Sequence, residues 1–184
     1  MSVVLYPTPG ENVTVTNVQF TYGKNDLIRL MMETCQNMVK IATGQNGEAL
    51  VNEYAMDDDT PTTAMKQKMI DSAFADIIAA IHRLTDENFS TQLKTAVATE
   101  ANIVIPIRYV STYNAAHLDA MGKDIQDMLI YGALVQWFSA VKADDMKATC
   151  QQEYNRAKLN LLAGIKELYR KVTFKDISAY TIPS

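Results

Sequence analysis

NAAHLDAMGKDIQDMLIYGALVQWFSAV (Asn114–Val141) and DDMKATCQQEYNRAKLNLLAGIKELYRKV (Asp144–Val172) decide the fold. Each reads as one long helix, and only Lys142 and Ala143 separate them. A link that short makes the two helices antiparallel neighbours. In the second, Cys150, Tyr154, Ala157, Leu161, Ile165, Leu168 and Val172 recur at steps of three and four, which puts one apolar stripe inward. In the first, Gln136 is the one side chain between Met128 and Phe138 that strongly prefers water. A helix apolar on nearly every side is enclosed by its neighbours. Gly132 and Gly164 fall inside these helices, where each costs about 1 kcal/mol relative to alanine. Close approach of another element explains a glycine at such a position.

The 184 residues form one domain with a real core, since 48% are hydrophobic and 21% charged. The net charge of −4 argues against a general nucleic-acid binder. The charge is uneven: residues 1–100 hold 7 basic and 13 acidic side chains, and residues 101–184 hold 10 and 8. Such halves could attract one another between copies, although ordinary surface scatter is the favoured explanation. Cys35 and Cys150 belong to no spaced pair and fall on apolar helix stripes, which favours buried free thiols over a disulfide or metal site. The N-terminus lacks the pattern of a signal peptide, and no window supplies the ~18 apolar residues of a membrane helix. A reducing, soluble compartment is expected.

Towards the N-terminus, Val13, Val15, Val18, Phe20 and Tyr22 alternate with polar residues, the period of a half-buried strand. Asn17, where the phase changes, predicts a bulge or turn. Residues 1–22 therefore read as a strand of the domain or as an arm that pairs with a neighbour's sheet edge. Asn25 to about Ala42 is a helix with Leu27, Ile28, Met31, Cys35, Met38 and Val39 on one face, closed by Gly44 and the Asn46-Gly47 turn. Residues 48–56 read as weakly helical. At Asp57-Asp58-Asp59-Thr60-Pro61, Thr60 suits the N-cap and Pro61 the first helical position of a helix that runs to about Leu84. The three aspartates complement its dipole. Clustered carboxylates also bind Ca²⁺ or Mg²⁺, but the run lacks the spacing of a calcium loop.

Residues 85–98 are polar and loop-like, with one helical turn expected near Phe89–Leu93. In NIVIPIRYV (Asn102–Val110) Ile103, Ile105, Ile107 and Tyr109 alternate. Pro106 cannot donate a ladder hydrogen bond, so the stretch reads as an edge strand or hairpin arm paired with residues 13–22. The fold class is thus mainly α, a helical bundle with a long antiparallel hairpin, plus a small β-hairpin or extended N-terminal arm. Its organisation is 1–22 extended arm or strand, 23–172 helical bundle, and 173–184 extended C-terminal tail.

Catalytic patterns are missing from the sequence. His82 and His117 have no partner at a zinc spacing; Asp86, four residues after His82, makes only a commonplace pair. Ser90, Ser111 and Ser139 lack a nucleophile-elbow context. Gly44-Gln45-Asn46-Gly47 continues into Glu48 and so is no phosphate loop. Trp137-Phe138 fits core packing or a subunit interface better than a cofactor pocket. Lys166, Arg170 and Lys171 are candidate phosphate contacts, but cations at a helix C-terminus are also favoured by its dipole. The 10 methionines suit adaptable packing. Neither a catalytic residue, nor a metal, nor a cofactor is expected.

The order of elements carries a resemblance. A helix (MIDSAFADIIAAIHRL) leads through a polar segment to a proline-bearing strand (NIVIPIRYV), then a long Ala/Tyr/Trp helix, a two-residue break, and a last helix with regular Tyr, Ala and Leu (CQQEYNRAKLNLLAGIKELYR). From Met69 to Val172 this resembles the head–tail connector, or adaptor, proteins of tailed bacteriophages, above all those of crAss-like Bacteroides phages. The resemblance implies a non-enzymatic virion protein of the phage neck, made in the host bacterial cytoplasm. It implies a ring beneath the portal, commonly twelvefold, that extends the DNA channel without gripping DNA and docks the next neck or tail component. The partners implied are the portal protein and other neck or tail proteins, with no membrane. Phe20, Tyr22, Phe174 and Tyr180 would be aromatic anchors of the interfaces, beside Lys166, Arg170 and Lys171. From another class, a free-standing helical bundle that binds a small ligand or a protein partner is the alternative.

Overall fold

The computed structural model describes residues 15–43, 54–59, 61–82, 92–93, 96–110 and 115–178. In chain order these are β1 (Val15–Gly23), α1 (Lys24–Thr43), α2 (Thr63–His82), β2 (Gln92–Leu93), β3 (Val97–Ala98), β4 (Asn102–Val110), α3 (Ala115–Ala140) and α4 (Asp144–Ser178). The fold is mainly helical with a small antiparallel sheet, as expected. Residues 1–14 and 179–184, the weakly helical segment up to residue 53 and the Gly44–Gly47 turn lie outside the described residues.

The corner between α3 and α4 shows how the hairpin is made. Lys142 takes a left-handed φ of 59°, the backbone of a helix C′ position. Ala143 N–H then reaches back to Phe138 O at 2.9 Å, which ends α3 in a Schellman-type turn. Ala143 O takes the first bond of α4, from Lys147 N–H at 2.9 Å, and Asp144 and Asp145 oppose the positive end of its dipole. The helices then run back antiparallel.

Helix α3 is enclosed as its composition demands: Met121, Ile125, Met128, Leu129, Ile130, Ala133, Leu134, Trp137 and Phe138 are buried. Gln136 donates to Met69 O of α2 at 3.3 Å, which satisfies its amide. Both expected close approaches are present. A Cβ on Gly132 would stand 3.0 Å from Ala73 Cβ and 3.3 Å from the Tyr154 ring, so α2, α3 and α4 meet there. A Cβ on Gly164 would meet Met121 Cγ at 3.2 Å.

The strand alternation also holds. Val15 to Gly23 pairs with Val110 to Asn102 without interruption, so the bulge expected at Asn17 does not occur. Val18, Phe20 and Tyr22 face Ile107, Ile105 and Ile103 on the side covered by helices. The reading of Asn102–Val110 as an edge is corrected: β4 is central, with β1 on one side and β2 and β3 on the other. Gln92 and Leu93 pair with Arg108 and Ile107, where a helical turn was expected, because the second side of β4 offers main-chain groups that need partners. Pro106 is tolerated at the centre because it falls between the two short strands, opposite neither.

Two helix ends also differ from expectation. Thr62 caps α2, its Oγ1 taking Met65 N–H at 3.4 Å, and Pro61 lies buried just before the helix, which thus starts later than the Thr60-Pro61 reading placed it. Helix α4 continues to Ser178, so residues 173–178 are not an extended tail. No Gly or Pro separates Gly164 from Pro183, so nothing in the covalent chain stops the helix at Val172.

Alanine at the two glycines separates tight from yielding contacts. Gly132→Ala should destabilise the protein by about 1–3 kcal/mol, because the overlap with Ala73 and Tyr154 exceeds the gain in helix propensity. Gly164→Ala should be neutral or stabilising by up to ~1 kcal/mol, because the flexible Met121 end can move. Urea titrations of the two variants check both.

Candidate functional site

The most elaborate polar arrangement binds the chain between α1 and α2 to the bundle. Residues 54–59 have no regular structure over most of their length, so their carbonyls need partners from elsewhere. Trp137 Nε1 donates to Tyr54 O at 2.8 Å, and Cys35 Sγ lies 3.6 Å from the same oxygen. Gln36 Nε2 donates to Met56 O at 3.2 Å. Lys66 Nζ donates to Asp57 O and, at 3.1 Å, to Asp58 O. Side chains of α1, α2 and α3 thus hold one strap, and Met56 is fully buried beneath it. Lys66 is itself 1% exposed, at the head of the line Ile70, Ala73, Ile77 and Ile81. The aspartates form a local turn, with Asp59 N–H donating to Asp57 Oδ1 at 2.9 Å. Among the described residues, no three His, Cys, Asp or Glu side chains are grouped to hold a metal ion.

Sequence reasoning missed a second buried lysine. Lys24 opens α1 with its N–H on Ala101 O at 2.8 Å and its Nζ 2.6 Å from Asp71 Oδ1. The side chain is 4% exposed, so the pair fixes the sheet, α1 and α2 to one another. A polar residue on a strand-to-helix junction gives no signal in the hydrophobic pattern.

The residues expected at interfaces divide into two groups. Phe20 and Tyr22 are half-buried and pack against the core. The Phe20 ring covers Gly122, where a Cβ would stand 3.2 Å from its edge, and Tyr22 O–H donates to Gly122 O at 2.6 Å. Burial pushes the Tyr22 phenol far above its ordinary value. This placement follows because β1 belongs to the chain's own sheet, whose inner face these rings line against α3. Lys166, Arg170, Lys171 and Phe174 lie on α4, and Tyr180 falls outside the described residues. Gly132 lies beside Tyr154 and Gly164 beside Met121, so Ala115 comes level with about residue 170. The last eight or so residues of α4 therefore extend past α3 by roughly 12 Å.

Reactive chemistry is suppressed in the described core. Burial raises the thiols of Cys35 and Cys150 to about 11 and about 12, so neither is a thiolate at neutral pH. Cys150 Sγ packs 3.5 Å from Met38 Sδ. His82 is exposed at the end of α2, and the side chain of His117 lies outside the described residues. Trp137 and Phe138 are core residues, as expected of that pair. No helix of the described residues is long and apolar enough to cross a membrane.

Carboxylates gather along the α3–α4 seam. Arg156 pairs with Glu153 at 2.5 Å, while Asp124 and Asp127 are held above the ordinary carboxylate range, chiefly by partial burial. Lys123 and Arg156 oppose that rise at Asp127, and Asp124 and Glu153 add to it. With this geometry in place, comparison with protein families, curated proteins and solved structures finds no match to the chain.

Two outcomes follow from these groups. Lys66→Met removes the ammonium donor from Asp57 O and Asp58 O, and each buried bond lost should cost about 1–3 kcal/mol. It should also shift the emission of the single tryptophan, Trp137, to the red as the strap loosens; fluorescence and thermal melts read both. Asp127 titrates above its unfolded value, so the folded state holds that proton more tightly and its charged form opposes folding at higher pH. Asp127→Asn should therefore raise the melting temperature at neutral pH, with the gain shrinking as pH falls through the raised value toward 3.8. Melts of both proteins across that range check the sign.

Proposed function

We propose that this chain is a structural virion protein, a head–tail connector or adaptor that forms a ring beneath the portal of a tailed phage. It extends the DNA channel and docks the next neck or tail component. The observation that carries the reading is the order of elements: α2, a polar segment, the proline-bearing β4, α3, a tight corner and a final helix that outruns its partner. A rigid hairpin of two long packed helices suits a ring wall. The projecting end of α4, bearing Lys171 and Phe174, can reach a neighbouring subunit or the portal, with Arg170 directly before it and Lys166 about one turn before that. The chain is not an enzyme in this reading, and thiols held protonated by burial suit a purely structural core. The net charge of −4 lets DNA pass through a lumen without being gripped.

Negative-stain imaging of the purified protein, alone and mixed with portal rings of the same phage, tests the proposal. Rings, or added density stacked under the portal, are expected, together with the protein's presence in purified virions. A protein absent from virions that leaves the portal unchanged would overturn it.

A further inference from the structure

Strand β1 pairs with β4 alone among the described residues, so its other side is an edge of the sheet. The direction of its main-chain groups follows from Thr99. Its N–H donates to Asn102 O at 2.8 Å and its Oγ1 accepts Asn102 N–H at 3.0 Å. Asn102 therefore faces β3, and main-chain groups alternate along a strand, so Ile103, Ile105 and Ile107 face β1. By the register, Val18, Phe20 and Tyr22 bond inward, and Val15, Asn17, Gln19 and Thr21 turn N–H and C=O to the open edge.

Proteins blunt such edges with short strands, lysines, prolines or bulges. None of these protects β1. The strand is nine residues long, its register is unbroken, and Asn12 to Gly23 contains no charge and no proline. The far edge of the same sheet is blunted by contrast. It consists of two two-residue strands whose registers on β4 differ by one position.

We propose that the open edge of β1 is a docking surface for β1 of a second copy, in an antiparallel ladder about a twofold axis at Gln19. The far edge is too short to offer a matching ladder, whereas β1 complements itself. With Gln19 on the axis, Asn17 lies opposite the partner's Thr21 and Val18 opposite the partner's Phe20. These are polar–polar pairs on the outer face and β-branched–aromatic pairs on the inner face, both favourable across strands. No charge meets its like at the axis. The inference is independent of the neck-ring reading, because it concerns the free chain in solution.

Sedimentation velocity over a wide concentration range tests it. The native chain should form a reversible dimer. Gln19→Lys sets two ammonium groups against each other at an exposed position, and it should raise the dissociation constant roughly tenfold or more with an unchanged circular dichroism spectrum. Because Cys35 and Cys150 are buried, Gln19→Cys should give a disulfide-linked dimer on mild oxidation, and Asn37→Cys on the exposed side of α1 should not. A native chain that stays monomeric throughout would overturn the proposal. So would a dimer untouched by Gln19→Lys, or Gln19→Cys cross-linking no better than Asn37→Cys.

Discussion

One helix that can turn only a small part of its surface to water governs the rest of this molecule. Helix α3 is apolar around most of its circumference, so each other element takes up a position that removes part of it from solvent. The antiparallel α4 covers one flank, and α2 covers another so closely that only glycine fits at residue 132. The inner face of the sheet closes the early turns through Phe20 and Tyr22, and the strap at Tyr54 closes the late turns through Trp137. Burial of this kind is worth about 1.5–3 kcal/mol for each large side chain. It therefore outweighs any single polar contact in the structure.

Polar contacts decide how the covering elements sit. Among the described residues, Lys24 and Lys66 are the two charged side chains found buried, and each joins segments that hydrophobicity alone would leave free to slide. Lys24 binds a sheet–helix junction to α2, and Lys66 binds an irregular strap to the same helix. An ammonium group taken from water is costly unless its donors are used. Each of these lysines therefore favours one arrangement of the chain over its neighbours.

Legibility in the sequence follows the range of the interaction. Periodicity is local, so the helical hairpin, its tight corner, the alternating strands and the reason for Gly132 and Gly164 are all readable from the residues themselves. Partners chosen across long stretches of chain are not. Pro106 marks Asn102–Val110 as an edge because the interruption opposite it, between Leu93 and Val97, is invisible in the strand itself. Phe20 and Tyr22 read as free anchors because their seat, Gly122, lies 100 positions from Tyr22. Lys66 hides within an apolar line for a different reason: its acceptors, though only 9 and 8 positions away, are main-chain carbonyls, which no residue type announces. At the candidate interface, the positions on α4 are legible and the length of the helix is not, since nothing but the absence of a breaker carries it to Ser178.

The pairing of β1 with β4 also bears on the order in which the chain is put together. The helical hairpin closes through a three-residue corner, Val141 to Ala143, and its ends meet at little entropic cost. The strand pair joins residues 79 positions apart at Gly23 and Asn102 and 95 apart at Val15 and Val110. Contacts of that span form slowly and depend on the intervening elements being in place. The sheet is thus expected to close after the helical hairpin, as a late unit built on an early helical nucleus.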